Sequence, residues 1–191
     1  PDAIESFAAA KRWFNYAVID IDAAQVGVRA NPDWGWGNYP IGVWQGFRAR
    51  TGRADGFEMV VGSDLPMASG LSSSAAIEVV TAIALDAIHG TRLDRQQIAL
   101  LAHRAESGFV GLRCGIMDQF ISSLGKAQHT LMIDCRSLEY QLVPMPTGST
   151  VLVVDTTALA VGAGMPSAPS ATAADTRGAS TFTLNMSQIL A

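Results

Sequence analysis

The stretch DLPMASGLSSSAAIEVV, residues 64–80, places a proline, a glycine and a cluster of serines and alanines directly before a long apolar run. Within residues 68–74 only Leu71 carries a bulky side chain, so the backbone of this segment is able to approach a bound group closely. Residues 57–65 form a β-rich run, and residues 73–88 are apolar on nearly all sides of a helix. The pattern predicts a strand, a loop of small residues and a buried helix.

A loop of small residues before a helix aims backbone N–H groups and the positive end of the helix dipole at one point, which favours an anion. Pro66 and Gly70 shape the turn, and the hydroxyls of Ser72, Ser73 and Ser74 are able to bond a phosphate or to coordinate a hard cation. Neither GxxxxGK[ST] nor GxGxxG is present, so the P-loop and Rossmann fingerprints do not apply. A helix capped by serine, with small residues for close packing, is the alternative interpretation.

Two acidic residues stand out in AESGFVGLRCGIMDQF, residues 105–120. Glu106 lies near the end of one predicted helix and Asp118 in the first turn of the next, and the glycine-rich loop between them is able to bring both carboxylates to one cleft. Two carboxylates beside a phosphate site indicate a divalent metal. Alternatively, Asp118 complements the N-terminus of its helix and Glu106 is a solvated charge. A carboxylate at a helix C-terminus is unfavourable to the dipole, which weakens the second alternative.

The remaining pattern mixes helices with short strands. Asp94 and Gln97 predict a capping box that opens a helix over residues 95–107, which the glycines of the following segment should end. Residues 129–135 and 140–145 predict a β-hairpin. Together these elements predict an α+β fold rather than a doubly wound parallel sheet.

Composition limits the partners of the protein. The chain has 191 residues, 49% of them hydrophobic, which suits one domain with a real core. A net charge of −4 without a basic run argues against nucleic acid. The longest apolar run, residues 75–88, is too short to span a bilayer, and two cysteines without a CxxC motif are compatible with a reducing cytoplasm. We expect a monomer in the cytoplasm, with no nucleic acid or membrane partner.

The chain changes character after the strand-like run at residues 151–156. Residues 157–191 hold nine alanines and only two charged side chains, and they lack a sustained helix or strand period. We expect residues 1–156 to form a partial domain and residues 157–191 to be a disordered, low-complexity tail.

Several motifs resemble one kinase superfamily. LPMASGLSSSAA, residues 65–76, resembles the phosphate-binding second motif of the GHMP kinases. GFVGLRCGIMDQF, residues 108–120, followed by LMIDCRSLEY, residues 131–140, is similar to the galactokinase family within that superfamily, as is WGNYPIGV, residues 36–43. The motifs stand in the order of the family, and the resemblance implies a truncated N-terminal domain with a ribosomal protein S5 domain 2-like fold.

The resemblance also implies roles for individual residues. The residues that would hold the phosphates of ATP are Pro66, Met67, Ala68, Ser69, Gly70, Leu71, Ser72, Ser73, Ser74, Ala75 and Ala76. Ser74 and Glu106 would ligate Mg²⁺, Asp118 would be the catalytic residue facing the sugar hydroxyl, and Gly115 would lie against galactose. The implied reaction converts ATP and galactose to ADP and galactose 1-phosphate, in galactose metabolism.

Three departures from the family pattern modify this expectation. Ala68 replaces the first glycine of the phosphate motif, and the family's N-terminal sugar motif, of the G-E-H-T-D-Y type, and its glycine-rich third motif are absent. We therefore expect a galactokinase fragment with little or no activity by itself. A sister GHMP kinase for another sugar and a non-catalytic ATP- and sugar-binding pseudoenzyme are the alternatives, although retention of Ser74, Glu106 and Asp118 favours catalysis.

Overall fold

A computed structural model of the chain describes residues 15–21, 29–52, 57–63, 65, 70–149 and 151. The elements in chain order are β1 (Asn15–Ile21), a 3-10 turn (Pro32–Gly37), α1 (Asn38–Thr51), β2 (Phe57–Ser63), α2 (Ser73–His89), α3 (Arg95–Arg104), a π-helical turn (Ala105–Val110), α4 (Met117–Leu124), β3 (His129–Ile133) and β4 (Tyr140–Pro144). Within these residues β1 pairs with β2 and β3 with β4, both antiparallel. Helices combined with antiparallel strand pairs confirm the predicted α+β class.

The main apolar core lies between α1, α2 and α3. Its buried members are Ile41, Val43, Trp44, Phe47, Val79, Ala82, Leu85, Ile98, Leu101, Ala102 and Ala105. Burial of each large side chain among them contributes about 1.5–3 kcal/mol of transfer free energy. Met59 and Val61 of β2 pack against this cluster, so the β1–β2 pair is attached to the helices.

The helix α1 is not predicted from the sequence, because Pro40, Gly42 and Gly46 all disfavour a helix. Pro40 lies in the first turn, where a missing N–H is tolerated. A Cβ added to Gly42 would lie 2.8 Å from Cδ1 of Phe109, and one added to Gly46 would lie 2.9 Å from Cδ1 of Leu101. The two glycines therefore allow α1 to approach α3 and the π-helical turn closely.

The capping box at the start of α3 is confirmed: N–H of Gln97 donates to Oδ1 of Asp94 at 2.7 Å, and N–H of Asp94 donates to Oε1 of Gln97 at 3.2 Å. The predicted end of this helix at Gly108 is wrong. After Arg104 the helix widens into the π-helical turn. This turn ends at Gly111, whose φ is 85°. Such turns redirect side chains and are frequent at functional sites.

The predicted hairpin is confirmed as β3 and β4, with His129 opposite Pro144. It packs with α4 and α3 around Ala99, Ile116 and Phe120, which form a second, smaller apolar core. The ring of Phe120 meets that of Tyr140 edge-on, with centroids 6.2 Å apart. This contact fixes α4, and hence the residues at its start, to the hairpin.

The expectation that α2 is buried on nearly all sides is wrong. Val80 is 45% exposed and Ile88 is 65% exposed, because the described elements pack on only part of this apolar helix. Among the described residues, no helix is long and apolar enough to cross a membrane. The predicted strand at residues 151–156, apart from Val151, and the predicted tail at residues 157–191 lie outside the described residues.

Candidate functional site

The N-terminus of α2 follows the loop predicted to bind phosphate. Ser72, at the cap position, has a left-handed backbone with a φ of 55° and makes no side-chain cap bond to the helix. The alternative of a serine-capped helix is therefore wrong. The first-turn N–H groups of a helix lack partners within the helix, so without a side-chain cap they are directed at whatever lies before it.

The structure locates only part of the predicted phosphate loop, because Pro66, Met67, Ala68 and Ser69 lie outside the described residues. Gly70 is exposed with a φ of 73°, the positive value that suits glycine at a turn. Leu71, Ser73, Ser74 and Ala76 are half-buried at the start of α2, and Ala75 is buried.

A buried polar cluster lies next to this helix start. Glu78 follows Ser74 by four residues, so both lie on the same face of α2, one turn apart. Nε2 of Gln119 donates to Oε2 of Glu78 at 3.1 Å and to Oε2 of Glu106 at 2.6 Å. Glu78 and Gln119 are fully buried, and Glu106 is 5% exposed. Three elements, α2, the π-helical turn and α4, therefore meet at one side-chain amide.

The two carboxylates of this cluster differ in environment. Burial raises the pKa of Glu78 from 4.5 to about 8; the hydrogen bond from Gln119 opposes this shift and the charge of Glu106 adds to it. Burying a carboxylate without a compensating cation favours its neutral form, which explains the direction. Glu78 is therefore predominantly a neutral acid at pH 7.

Tyr39 and Cys114 lie within the electrostatic field of the same cluster. Burial raises the pKa of the Tyr39 hydroxyl, and the charges of Glu106, Glu78 and Cys114 add to that effect. Burial likewise raises the pKa of Cys114 to about 11, and a side-chain hydrogen bond to Glu106 contributes. The carbonyl of Cys114 lies 3.2 Å from Nε2 of His103, which ties the loop before α4 to α3. Tyr39 and Cys114 therefore lie close enough to the acidic cluster for its charges to shift their pKa values.

The structure does not bring Asp118 into this buried cluster. Asp118 lies in the first turn of α4, directly before Gln119, and is exposed to solvent. Gly115 is also exposed, and in the described part of the chain a Cβ added there would meet no atom within 4 Å. Adjacent residues of α4 thus lie in different environments. Gln119 is buried in the interior, and Asp118 is exposed to solvent, where a substrate is able to reach it.

The donor chemistry of Ser74 and Glu106 fits Mg²⁺. A hydroxyl and a carboxylate are hard oxygen donors, and Mg²⁺ is commonly held by one or two protein oxygens together with substrate phosphates and water. In the described residues, no group of three or more His, Cys, Asp and Glu side chains is arranged to hold a metal ion. The assignment of Ser74 and Glu106 as metal ligands stays a prediction.

Sequence patterns pointed to Glu106 and Asp118 but missed Glu78, Gln119 and Tyr39. One signal for Glu78 is present: it is a single acid within the apolar segment AAIEVV, and a buried acid requires a partner. Gln119 and Tyr39 carry no comparable signal, because an amide or a phenol within a motif suits either the surface or the interior.

The segment that contains this cluster is similar in sequence and structure to known proteins. Residues 38–126, from α1 through α4, match the family model described as the GHMP kinases N terminal domain. A curated galactokinase of Chloroflexus aggregans is 48% identical over 120 residues, which are 63% of this chain and 31% of the relative. The crystal structure of Lactococcus lactis galactokinase complexed with galactose is similar over 73% of this chain and 34% of that one, with a TM-score of 0.60 and 28% identity. The chain spans about a third of the length of these relatives.

Proposed function

We propose, from the match of residues 38–126 to the GHMP kinases N terminal domain, that the chain belongs to a galactokinase-type kinase, which transfers the γ-phosphoryl group of ATP to the anomeric hydroxyl of galactose. The observation that carries the proposal is the uncapped N-terminus of α2 beside the cluster of Glu78, Gln119 and Glu106. Phosphoryl transfer depends mainly on alignment and charge stabilisation, which a helix N-terminus and placed carboxylates are suited to supply.

The phosphates of ATP would lie on the loop at residues 66–76. The first-turn N–H groups of α2 would bond phosphate oxygens, and the left-handed Ser72 leaves that end of the helix open to them. Ser74 and Glu106 would hold Mg²⁺, which, when bound, neutralises negative charge on the phosphates. Glu78 as a neutral acid is compatible with this arrangement, because an ionised Glu78 would add negative charge near the phosphates.

The sugar would lie on the exposed side of the start of α4. Asp118 is the acceptor or orienting group for the proton of the attacking hydroxyl, a role that an exposed carboxylate is able to fill. Gly115 leaves open space for the sugar beside it. The neighbouring Gln119 keeps the helix start attached to the buried cluster.

A hybrid protein tests the proposal. Residues 38–126 of this chain replace the matching segment of the Chloroflexus aggregans galactokinase, and ADP release is measured with galactose and ATP. We expect a folded hybrid that phosphorylates galactose. A hybrid that binds ATP but fails with galactose while accepting another sugar favours a sister GHMP kinase, and a folded hybrid that is inactive with every sugar favours a pseudoenzyme.

We also propose the kind of partner and the cellular location of the protein. An acidic net charge without a basic run supports a small-molecule substrate rather than nucleic acid. Two cysteines without a CxxC motif support a cytoplasmic location, and no feature of the sequence requires a membrane or a second subunit.

A further inference from the structure

The amide of Gln119 connects the parts of the candidate site. Its nitrogen has two hydrogens, and each is donated to a different carboxylate: one to Glu78 of α2 and one to Glu106 of the π-helical turn. Gln119 itself lies on α4, directly after Asp118. The amide is fully buried, so water does not compete for these hydrogen bonds.

The orientation of this amide matters, because rotation by half a turn would place its oxygen against the carboxylate of Glu106. Oε1 of Gln119 and Oε1 of Glu78 are both buried and without a hydrogen-bond partner among the described residues. In the orientation observed, both hydrogens of the amide nitrogen have a carboxylate acceptor. The reversed orientation would deprive both hydrogens of these acceptors, so the two carboxylates keep the amide nitrogen directed at Glu106.

We propose that Gln119 is a positioning residue for Glu106: its amide, held from the other side by Glu78, fixes the direction in which the Glu106 carboxylate presents its remaining oxygen. The role in metal binding rests on the proposed function, whereas the hydrogen-bonded arrangement does not. Groups that hydrogen-bond a metal ligand set its orientation, and their loss commonly lowers metal affinity about 10- to 100-fold. The same amide also couples the position of Glu106 to the helix that carries Asp118.

The first measurement uses the 191-residue chain without a nucleotide. Side-chain amide hydrogens of ¹⁵N-labelled glutamine are followed by NMR, and we expect both hydrogens of Gln119 to exchange with solvent at least about tenfold more slowly than those of the exposed Gln141. Glu106→Met, which keeps volume but removes the acceptor, should accelerate exchange at one of the two hydrogens. Exchange at Gln119 as fast as at Gln141 would overturn the inference.

The second measurement is the affinity of the chain for ATP with and without Mn²⁺, determined by calorimetry. Gln119→Met should weaken Mn²⁺·ATP binding about 10- to 100-fold and leave the affinity for metal-free ATP unchanged. Gln96→Met is the matched control, because Gln96 is a glutamine whose Nε2 donates to the carbonyl of Leu138, in contact with the hairpin. Equal loss in both variants, or equal loss with and without metal, would show a merely structural role and contradict the proposal.

Two further outcomes keep the inference and the proposed function separable. If the unsubstituted chain does not bind Mn²⁺·ATP, the proposed nucleotide site is contradicted in this chain, and hydrogen exchange at Gln119 alone decides the arrangement. If Gln119→Met does not fold, the exchange rates of the unsubstituted chain and of Glu106→Met decide it.

Discussion

At the scale of single residues, the raised pKa of Glu78 predicts how stability depends on pH. The folded chain holds a proton on Glu78 up to about pH 8, whereas an unfolded chain loses it near the ordinary value of 4.5. The folded state therefore binds more protons within that window, so the free energy of unfolding falls as pH rises from 4.5 to about 8 and levels off above it. Urea unfolding of the chain at a series of pH values measures the slope.

Glu78→Gln is the matched variant for this experiment. A glutamine side chain keeps a carbonyl oxygen that accepts from Nε2 of Gln119, so it preserves this hydrogen bond but cannot ionise. We expect its unfolding free energy to be less dependent on pH in the same window. Parallel pH profiles for the two proteins would show that Glu78 is ionised in the folded chain.

Asp118 is the residue on which the proposed chemistry depends most directly. In the active hybrid, Asp118→Ala should lower kcat by about 10² to 10⁴, because base or orienting catalysis is lost. The KM for ATP should stay nearly the same, since the exposed Asp118 lies outside the buried cluster. Asp94→Ala is the control, because Asp94 is an exposed carboxylate of the same segment, whose Oδ1 accepts from N–H of Gln97 at 2.7 Å in the capping box of α3. Near-normal kcat for Asp118→Ala would contradict the assignment.

Candidate residues are recognisable in the sequence where the signal is local. Glu106 and Asp118 are candidates because glycines and helix ends lie beside them in the sequence. The pairing of Gln119 with Glu78 was not predictable, because the two residues are 41 positions apart and meet only through helix packing. The protonation of Glu78 depends on that packing too, since burial is its first cause.

At the scale of elements, the close approach of α1 to the π-helical turn predicts a specific intolerance at Gly42. A Cβ there would lie 2.8 Å from Cδ1 and 3.1 Å from Cβ of Phe109, so the rigid ring and its stem must move. Overpacking costs about 1–3 kcal/mol, which exceeds the gain of roughly 1 kcal/mol from replacing a helical glycine with alanine. We expect Gly42→Ala to lower the free energy of unfolding, as measured in urea.

Gly46→Ala provides the comparison on the same helix. Its added Cβ meets only Cδ1 of Leu101 at 2.9 Å, the far end of a flexible side chain, so the cost should be smaller. Phe109 belongs to the same turn as Glu106, and Gly42→Ala should therefore also weaken Mn²⁺·ATP binding by the chain. A Gly42→Ala protein as stable as the original would show that Phe109 and the π-helical turn move aside at little cost in free energy.

Elements with a clear pattern were predictable, and those shaped by packing were not. The apolar run of α2, the capping box of α3 and the alternation of the hairpin each carry a local signal. Helix α1 contains a proline and two glycines, which disfavour a helix in a sequence-based prediction. The structure explains the two glycines, because they pack directly against Phe109 and Leu101. The π-helical turn depends on the same contact, so sequence suggested a break at Gly108 instead.

At the scale of the whole molecule, the described elements form one side of the proposed site. The helix start of α2, the turn with Glu106 and the start of α4 all lie within residues 38–126. The chain spans about a third of its galactokinase relatives, and the sugar motif of the G-E-H-T-D-Y type is not in its sequence. We therefore expect binding of the phosphates and alignment of the sugar to be separable in the 191-residue chain.

This separation predicts nucleotide binding without appreciable turnover. Alignment of the attacking hydroxyl supplies a large part of the rate in phosphoryl transfer, and a sugar held on one side only is poorly aligned. We expect the 191-residue chain to bind Mg²⁺·ATP and to phosphorylate galactose far more slowly than about 1 s⁻¹, a rate at the low end for enzymes. ADP release with galactose is compared between the chain and the hybrid at equal concentration. A chain that turns over galactose at about 1 s⁻¹ or faster would show that residues 38–126 and their neighbours align the sugar unaided.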